Sequence, residues 1–342
     1  MVRYVVVRLV EALPLIVLLS MVTFALLTVA PGDPAAALLQ SRAGGTPPRP
    51  EDIERVRHNL GLDRPWPERY LRWAARMLHG DFGTSYLKQR PVGAVLRETL
   101  PPTLLLTSTA LLLMVGLALV LGLGAGLAPG TWLARGIGTL VLLLYSAPTF
   151  LIGLLAVLLF SVRWGILPSS GMSRAGAEIT ATEVLRHLVL PALVLAVGHH
   201  LAAYVRLVEV AVNDVRHAPF VQSAVARGLP GWMVILWYVV PHSLPPFIAQ
   251  LGTSLGSLVG GAYAVEVIFS WPGMGRAAMQ AAAGRDYPVL MAVVLLTGIV
   301  VVLGNVLADV LVAALDPRVR AHWASSPDTR VQTSEAYGAN TA

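Results

Sequence analysis

The sequence predicts an all-α polytopic membrane protein with six transmembrane helices and an external insertion after the first. The 342-residue chain is 56% hydrophobic and only 13% charged, and its mean hydropathy is +0.68. This composition lies outside that of soluble globular domains. Uncharged apolar runs also recur along the chain, and about 20 helical residues cross the ~30 Å hydrocarbon core of a bilayer. The predicted spans are residues 12–30, 104–127, 137–162, 188–205, 247–265 and 289–308.

The first unit, residues 1–30, is predicted to hold the N-terminus and the first span. The sequence Ala35-Ala36-Ala37 beyond it loosely matches a signal-peptide cleavage site. The apolar run is longer than the roughly 7–15 residues usual in a secretory signal. We therefore expect a retained membrane anchor.

Residues 31–100 are predicted to form a small folded external insertion. Pro50 and the acid Glu51 make a good helix start, because acids favour the positive end of the helix dipole. That helix is expected to end at Gly61, and a second helix to cover residues 67–78. Rings expected at the membrane–water interface are those of Trp66, Tyr70 and Trp73.

Residues 101–320 are predicted to form a five-helix transmembrane core, with a polar loop at 206–245. Pro148 and Pro191 are expected to kink spans three and four, because proline removes a helix hydrogen bond. Residues 321–342 are polar and lack an apolar period, which predicts a disordered tail.

The adjacent His199 and His200 interrupt span four. Neighbouring positions point about 100° apart on a helix, which suits packing or a polar helix end better than joint metal binding. No metal site is predicted there.

Arginines in the short loops predict the orientation, since cytoplasmic loops carry an excess of Lys and Arg. The excess lies on the side of both termini, which are therefore expected in the cytoplasm. The Arg-rich segment 31–100 decides little, because segments longer than ~60 residues largely escape this rule. The arginines favouring this orientation are Arg3, Arg8, Arg135, Arg206, Arg216, Arg227, Arg318 and Arg320.

Several chemistries are excluded by the composition. The chain has no cysteine, so it has no disulfide, thiolate metal site or cysteine nucleophile. Its net charge of +6 is dispersed without a basic stripe, so no nucleic acid partner is expected. The one lysine, Lys88, follows no glycine loop, so the chain lacks an ATP-hydrolysing P-loop. We expect no catalytic residue and no cofactor on this chain.

The segment Gly252-Thr-Ser-Leu-Gly256 matches the nucleophile elbow of serine hydrolases. It lies in a long apolar helix, where Gly252, Gly256 and Gly260 are spaced for close helix packing. Packing is the favoured interpretation. An intramembrane serine hydrolase using Ser254 stays as an alternative.

The stretch from Phe220 to Gly228 is polar within an apolar chain and predicts a short helix that docks outside the bilayer. Its small residues let another surface approach closely, and Gly228 permits the left-handed conformation that ends a helix. An ordinary amphipathic connector is the alternative. The predicted docking residues are Phe220, Gln222, Ser223, Ala224, Arg227 and Gly228.

This stretch resembles the cytoplasmic coupling loop of membrane subunits of ATP-binding-cassette (ABC) importers. Further segments, in order, resemble the dipeptide/oligopeptide/nickel permease family over residues 1–322. They include Ala30-Pro-Gly-Asp-Pro34, Leu60-Gly-Leu-Asp-Arg-Pro65, Tyr70-Leu-Arg-Trp73, Gly80-Asp-Phe-Gly-Thr-Ser85, Glu266-Val-Ile-Phe-Ser-Trp-Pro-Gly-Met-Gly275, Gly284-Arg-Asp-Tyr-Pro288 and Leu315-Asp-Pro-Arg318.

The resemblance implies the type I ABC importer permease fold and half of a translocation path for peptides, nickel chelates or similar small polar solutes. The implied partners are a second homologous permease subunit, two cytoplasmic ATPases, an external solute-binding protein and the lipid bilayer. The implied location is a bacterial or archaeal cytoplasmic membrane. Gln222 and Val225 stand where the family usually carries basic residues, which leaves the partner's identity open. An ion-coupled secondary transporter is the remaining alternative.

Three polar residues are candidates for the translocation path or its gate. Glu266 is expected at the external end of span five, where it contacts substrate, pairs with Arg276 or Arg285, or caps and bridges loops. Asp309, with Asn305 one turn earlier, is expected near the cytoplasm, as a gate, a subunit contact or a helix–helix hydrogen bond. The role of Glu209 is left open.

Overall fold

The computed structural model describes residues 2–29, 33–42, 49–59, 61–174, 176, 178–199 and 201–315. These residues are largely α-helical, with an isolated antiparallel bridge between Thr84 and Pro91. The predicted tail at 321–342 and His200 lie outside the described residues, as do the side chains of His199 and residues 252–257.

The N-terminal third contains four helices. The long first helix is followed by the insertion, in which the two predicted helices are confirmed to within a residue or two and a third, α2, was not predicted. Glu51 lies in the first turn of α3, where it favours the helix dipole. The helices are α1 (Val2–Val29), α2 (Pro34–Arg42), α3 (Pro50–Asn59) and α4 (Trp66–Leu78).

The remainder of the chain contributes ten helices, two of which continue into π-helical turns. α7 is extended by Val157–Arg163, and α11 by Ile235–Val239. The helices are α5 (Val92–Leu127), α6 (Trp132–Ser146), α7 (Thr149–Ala156), α8 (Ala181–His199), α9 (Leu201–Arg216), α10 (Pro219–Ala226), α11 (Gly231–Val234), α12 (Val240–Ile268), α13 (Met274–Ala283) and α14 (Tyr287–Leu315).

Within the described ranges, five helical stretches are long and apolar enough to cross a membrane, and a bent pair makes up to six. The bent pair is Trp132–Ser146 with Thr149–Arg163, which turn by 107° at a break where Pro148 caps α7. The prediction of one continuous span at 137–162 is therefore wrong. The five stretches are Val5–Leu26, Val92–Leu127, Ala181–Gly198, Gly231–Ile248 and Tyr287–Leu307.

Three predicted boundaries also shift. The fifth predicted span, 247–265, lies inside α12, whereas the stretch long and apolar enough to cross a membrane is Gly231–Ile248, which overlaps the predicted loop at 206–245. The fourth span covers Ala181–Gly198 rather than 188–205, because α8 ends at His199, while Pro191 stays inside the helix. The predicted end of the insertion at residue 100 falls inside α5, which begins at Val92. At 36 residues, α5 is about 54 Å long, so it extends well beyond a ~30 Å hydrocarbon core.

Within the core of the bundle, α5 and α9 run in parallel and in close contact. A methyl group at Gly122 would lie 2.5 Å from Val208 Cβ, and one at Gly126 would lie 2.7 Å from the Glu209 carbonyl oxygen. Such distances leave no room for a Cβ atom. The two glycines therefore set the separation of these helices.

We expect Gly122→Ala to destabilise the chain by about 1–3 kcal/mol, because the added methyl overpacks a tight contact. The measurement is the thermal melting of the purified chain in detergent. Gly116→Ala is the matched control, since it lies on the same helix and its added Cβ meets nothing within 4 Å. Equal melting temperatures for the two variants would contradict the close packing.

The bundle has two distinct ends. The insertion, the start of α5 and the start of α14 share one end, which we call the insertion end. Arg216, three residues before α10, donates from Nη1 to the carbonyl of Leu127 at the last residue of α5, at 3.3 Å. α10 therefore lies at the opposite end, which we call the α10 end.

Candidate functional site

The helix α10 is bounded at its N-terminal and C-terminal ends by residues whose backbone conformation ends the helix. Ala218 is extended, and Pro219 occupies the first turn, where its missing N–H costs no hydrogen bond. Gly228 has φ +78°, and its N–H donates to the Val225 carbonyl at 2.9 Å. The left-handed conformation is open to glycine at little cost. The predicted short helix with an abrupt end is confirmed.

The two faces of α10 have different surroundings. Val221 is 3% exposed and Ala224 is fully buried against the chain. Ala224 was predicted as a docking residue, and this side chain instead forms the inner face. Phe220 is 40% and Val225 59% exposed. The other exposed positions of this segment are Pro219, Gln222, Ser223, Ala226, Arg227 and Gly228.

The exposed side chains are held in place by local contacts. The Phe220 ring lies 4.7 Å from the ring of His242, on α12. Arg227 donates from Nε to the Ser223 carbonyl at 3.3 Å and from Nη2 to the Tyr238 hydroxyl at 3.4 Å. The outer face is therefore a preformed surface that combines two apolar side chains with one guanidinium.

Glu209 and Arg216 lie on α9, before this helix. Glu209 forms an ion pair with Arg206 at 2.9 Å, one turn earlier. The bond from Arg216 to the end of α5 ties the end of α9, three residues before α10, to the bundle. Sequence reasoning used Arg216 for topology and missed this contact.

Glu266 is a buried capping residue at the other side of the bundle. It is 0% exposed, and its Oε2 accepts the N–H groups of Gly275 at 2.6 Å and Arg276 at 3.3 Å. These amides belong to the first turn of α13, where a carboxylate is stabilised. The Thr103 hydroxyl donates to Oε1 at 2.6 Å. This arrangement matches the predicted capping and bridging role.

The predicted pairing of Glu266 with the Arg276 guanidinium is wrong. Arg276 donates from Nη1 to the Ser270 carbonyl at 2.6 Å instead. A Cβ at Gly273 would lie 2.2 Å from Glu266 Oε1, so glycine is required there for the carboxylate to approach the helix. The glycines of the stretch 273–275 were a sequence indication of this cap.

Asp286 forms a second buried carboxylate node, which the sequence reasoning missed. It is 2% exposed and lies in the turn between α13 and α14. It accepts the Ser85 hydroxyl at 2.5 Å and the N–H groups of Tyr86 at 3.0 Å and Leu87 at 3.2 Å. Two of the family-like segments, 80–85 and 284–288, are therefore joined directly.

The structure does not bring the three gate candidates together. Asp309 lies at the α10 end and forms an ion pair with Arg8 of α1, from Nε at 3.3 Å. Its surroundings match a helix–helix contact. Asn305 is exposed, and Glu266 lies toward the insertion end.

The hydrolase alternative is not supported by the backbone around Ser254. Residues Val240–Ile268 form one continuous helix, whereas a nucleophile elbow needs a strand–turn–helix. A Cβ at Gly260 would meet nothing within 4 Å in the described part of the chain, so the packing predicted at this glycine is not made there.

The fold is that of a polytopic membrane protein whose short helix α10 lies outside the apolar spans. Two family models match: the binding-protein-dependent transport system inner membrane component over residues 118–321, and the N-terminal component of the same systems over residues 1–107. The chain belongs to this family. It is an integral inner-membrane permease subunit.

Named relatives cover nearly the whole chain. The oligopeptide transport system permease protein AppB of Bacillus subtilis is 31% identical over 320 residues, covering 93% of this chain and 99% of its own length. The glutathione transport system permease protein GsiC of Salmonella paratyphi A is 33% identical, covering 94% and 99%.

One solved structure supports the fold. The MetNI methionine ABC transporter in an inward-facing conformation matches with a TM-score of 0.52 at 20% identity. The match covers 65% of this chain and 96% of that chain. The predicted type I permease fold is confirmed.

Proposed function

We propose that this permease forms half of the translocation path for peptides in an ATP-driven importer. We also propose that α10 is the surface to which an ATPase binds. The observation that carries the proposal is the preformed outer face of α10, with Phe220, Val225 and Arg227 exposed outside the apolar spans. Exposed aromatic and arginine side chains are typical of the residues that dominate binding energy at interfaces.

The orientation follows from the same surface. An ATPase that uses cytoplasmic ATP must meet α10 in the cytoplasm, which places the α10 end and both termini there and the insertion outside. The arginine distribution supports the same orientation. We expect no cofactor on this chain, because the nucleotide site belongs to the partner.

The complete transporter requires further chains. We propose a second homologous permease, two cytoplasmic ATPases and an external solute-binding protein. Movement of an ATPase bound to α10 then tilts the spans between inward-open and outward-open arrangements. An ion-coupled mechanism is less well supported, because Glu266 caps α13 and Asp309 is paired with Arg8.

Peptides are the proposed substrate class. Relatives named for oligopeptide and glutathione transport each align with more than nine-tenths of this chain. Both of those cargoes carry peptide-like amides and terminal charges.

The proposal is tested with Gly228→Asp. A Cβ at Gly228 meets nothing within 4 Å among the residues that the structure describes, so we attribute a defect beyond backbone strain to the approach of a partner. We expect about tenfold less peptide uptake and ATPase stimulation, as for loss of a central interface contact. The chain itself should insert and elute normally on size exclusion.

Gly130→Asp is the matched control. Gly130 also has φ +78°, and a Cβ there also meets nothing within 4 Å. Both variants therefore carry the same strain of about 1–2 kcal/mol. Equal uptake by the two variants would contradict ATPase docking at α10.

A further inference from the structure

A cavity of about 1070 Å³ lies at the insertion end. It is enclosed by the insertion helices, the segment that follows α4, and the adjoining ends of α1 and α14. Its wall carries five arginines, which are Arg57, Arg64, Arg69, Arg72 and Arg76.

Three of these arginines form a stripe along α4. Arg69, Arg72 and Arg76 are spaced three and four residues apart, which places them on one side of a helix. All three line the cavity. Helix α4 therefore presents a row of guanidinium groups to this space.

The arginines differ in their ion pairs. Arg57 pairs with Asp33 at 2.5 Å and with Glu54 at 2.6 Å. Arg64 and Arg72 share Glu68 Oε1, at 2.6 and 2.9 Å. The remaining two, Arg69 and Arg76, form no ion pair with any carboxylate in the described part of the chain.

Another acid of the wall, Asp81, forms no ion pair with these two arginines. Asp81 accepts the N–H of Gly83 at 2.9 Å. The Arg69 guanidinium carbon lies 6.0 Å from the centre of the Phe24 ring. Arg69 and Arg76 thus line the cavity without an ion-pair partner in the described part of the chain.

The helix α1 indicates where the cavity lies relative to the bilayer. Phe24 lies two residues before the end of the apolar stretch Val5–Leu26, which is about 3 Å along the helix. Tyr70 and Trp73 pack against the Phe24 ring, at 5.7 and 5.4 Å between ring centres. Such aromatic clusters lie at the headgroup level of a bilayer.

The cavity and its surroundings also offer apolar surface. Leu38, Met77 and Met291 line it beside Phe24. On the exposed side of α4, Leu71 is 66% and Leu78 88% exposed. A ligand with both an anionic group and an apolar portion fits this wall better than a fully polar anion.

The geometry points to a binding site for the phosphate of an anionic phospholipid. Arg69 and Arg76 donate hydrogen bonds to the phosphate oxygens, which planar guanidinium groups bind in bidentate fashion. The glycerol and acyl carbons lie against the apolar part of the wall. This site is separate from the docking surface on α10.

The test measures lipid preference on the full chain purified in detergent, by native mass spectrometry with phosphatidylglycerol and phosphatidylcholine in competition. We expect the wild type to prefer phosphatidylglycerol. Arg69→Gln/Arg76→Gln should lower that preference about 25-fold, since each of the two basic residues near a membrane surface contributes about fivefold. Arg69→Lys/Arg76→Lys should restore only part of it, because lysine keeps the charge and loses the bidentate hydrogen bonds, and shows that the fold tolerates change there.

Arg163→Gln/Arg174→Gln is the matched control, because both arginines are exposed and lie away from the cavity wall. It should keep the wild-type preference. The same preference in the cavity variant and this control overturns the proposal. Displacement of the lipid by inorganic phosphate at equal concentration overturns the lipid assignment, as does a cavity variant that loses only binding of the external solute-binding protein.

Discussion

Glu266→Leu is expected to lower the free energy of unfolding by about 3 kcal/mol or more. The Thr103 hydroxyl and the N–H groups of Gly275 and Arg276 would lose their common acceptor. Each buried donor left without a partner costs about 1–3 kcal/mol. The measurement is thermal melting of the detergent-purified chain, followed by tryptophan fluorescence.

Glu266→Gln keeps the size of the side chain and removes one of its two acceptor oxygens, so it separates the effect of hydrogen bonding from that of side-chain volume. Its amide oxygen still accepts from one side, so its loss of stability should be about half that of the leucine variant. Glu178→Leu, at an exposed loop position, should melt like the wild type. A Glu266→Leu chain that melts at the wild-type temperature would contradict the capping role.

Asp286→Ala is expected to cost about 2–4 kcal/mol, because three donors from the segment 85–87 end on this carboxylate. The segment should then separate from the turn before α14. We expect faster proteolysis between residues 80 and 91, together with a lower melting temperature.

The control for this variant is Asp81→Ala, an exposed aspartate in the same segment. A cycle with Ser85→Ala isolates the shared hydrogen bond, and the double variant should lose less than the sum of the single variants. Additive losses would show that Ser85 and Asp286 act independently.

The presence of several spans, though not all of their bounds, and the helix α10 could be predicted because their causes are local. Apolar runs define the spans by composition, and Pro219 and Gly228 define the ends of α10 by backbone conformation alone. The outer face of α10 was predicted except at Ala224, whose direction depends on packing against the rest of the chain.

The buried nodes could not be predicted in this way. Thr103 and Glu266 are 163 residues apart, and Ser85 and Asp286 are 201 apart, so their meeting depends on the tertiary arrangement. The 107° angle between the helices on either side of Pro148 is much larger than the predicted kink. Proline determines where the helix breaks, whereas the packing of neighbouring helices determines the angle.

The short helix α13 has a buried carboxylate at each end. Glu266 accepts hydrogen bonds at its start, and Asp286, just beyond its end, accepts the Ser85 hydroxyl. The ends of α5, α12 and α14 at the insertion end are therefore connected to one another by buried hydrogen bonds. If a partner displaces α10, we expect these connected helix ends to move together as one rigid body.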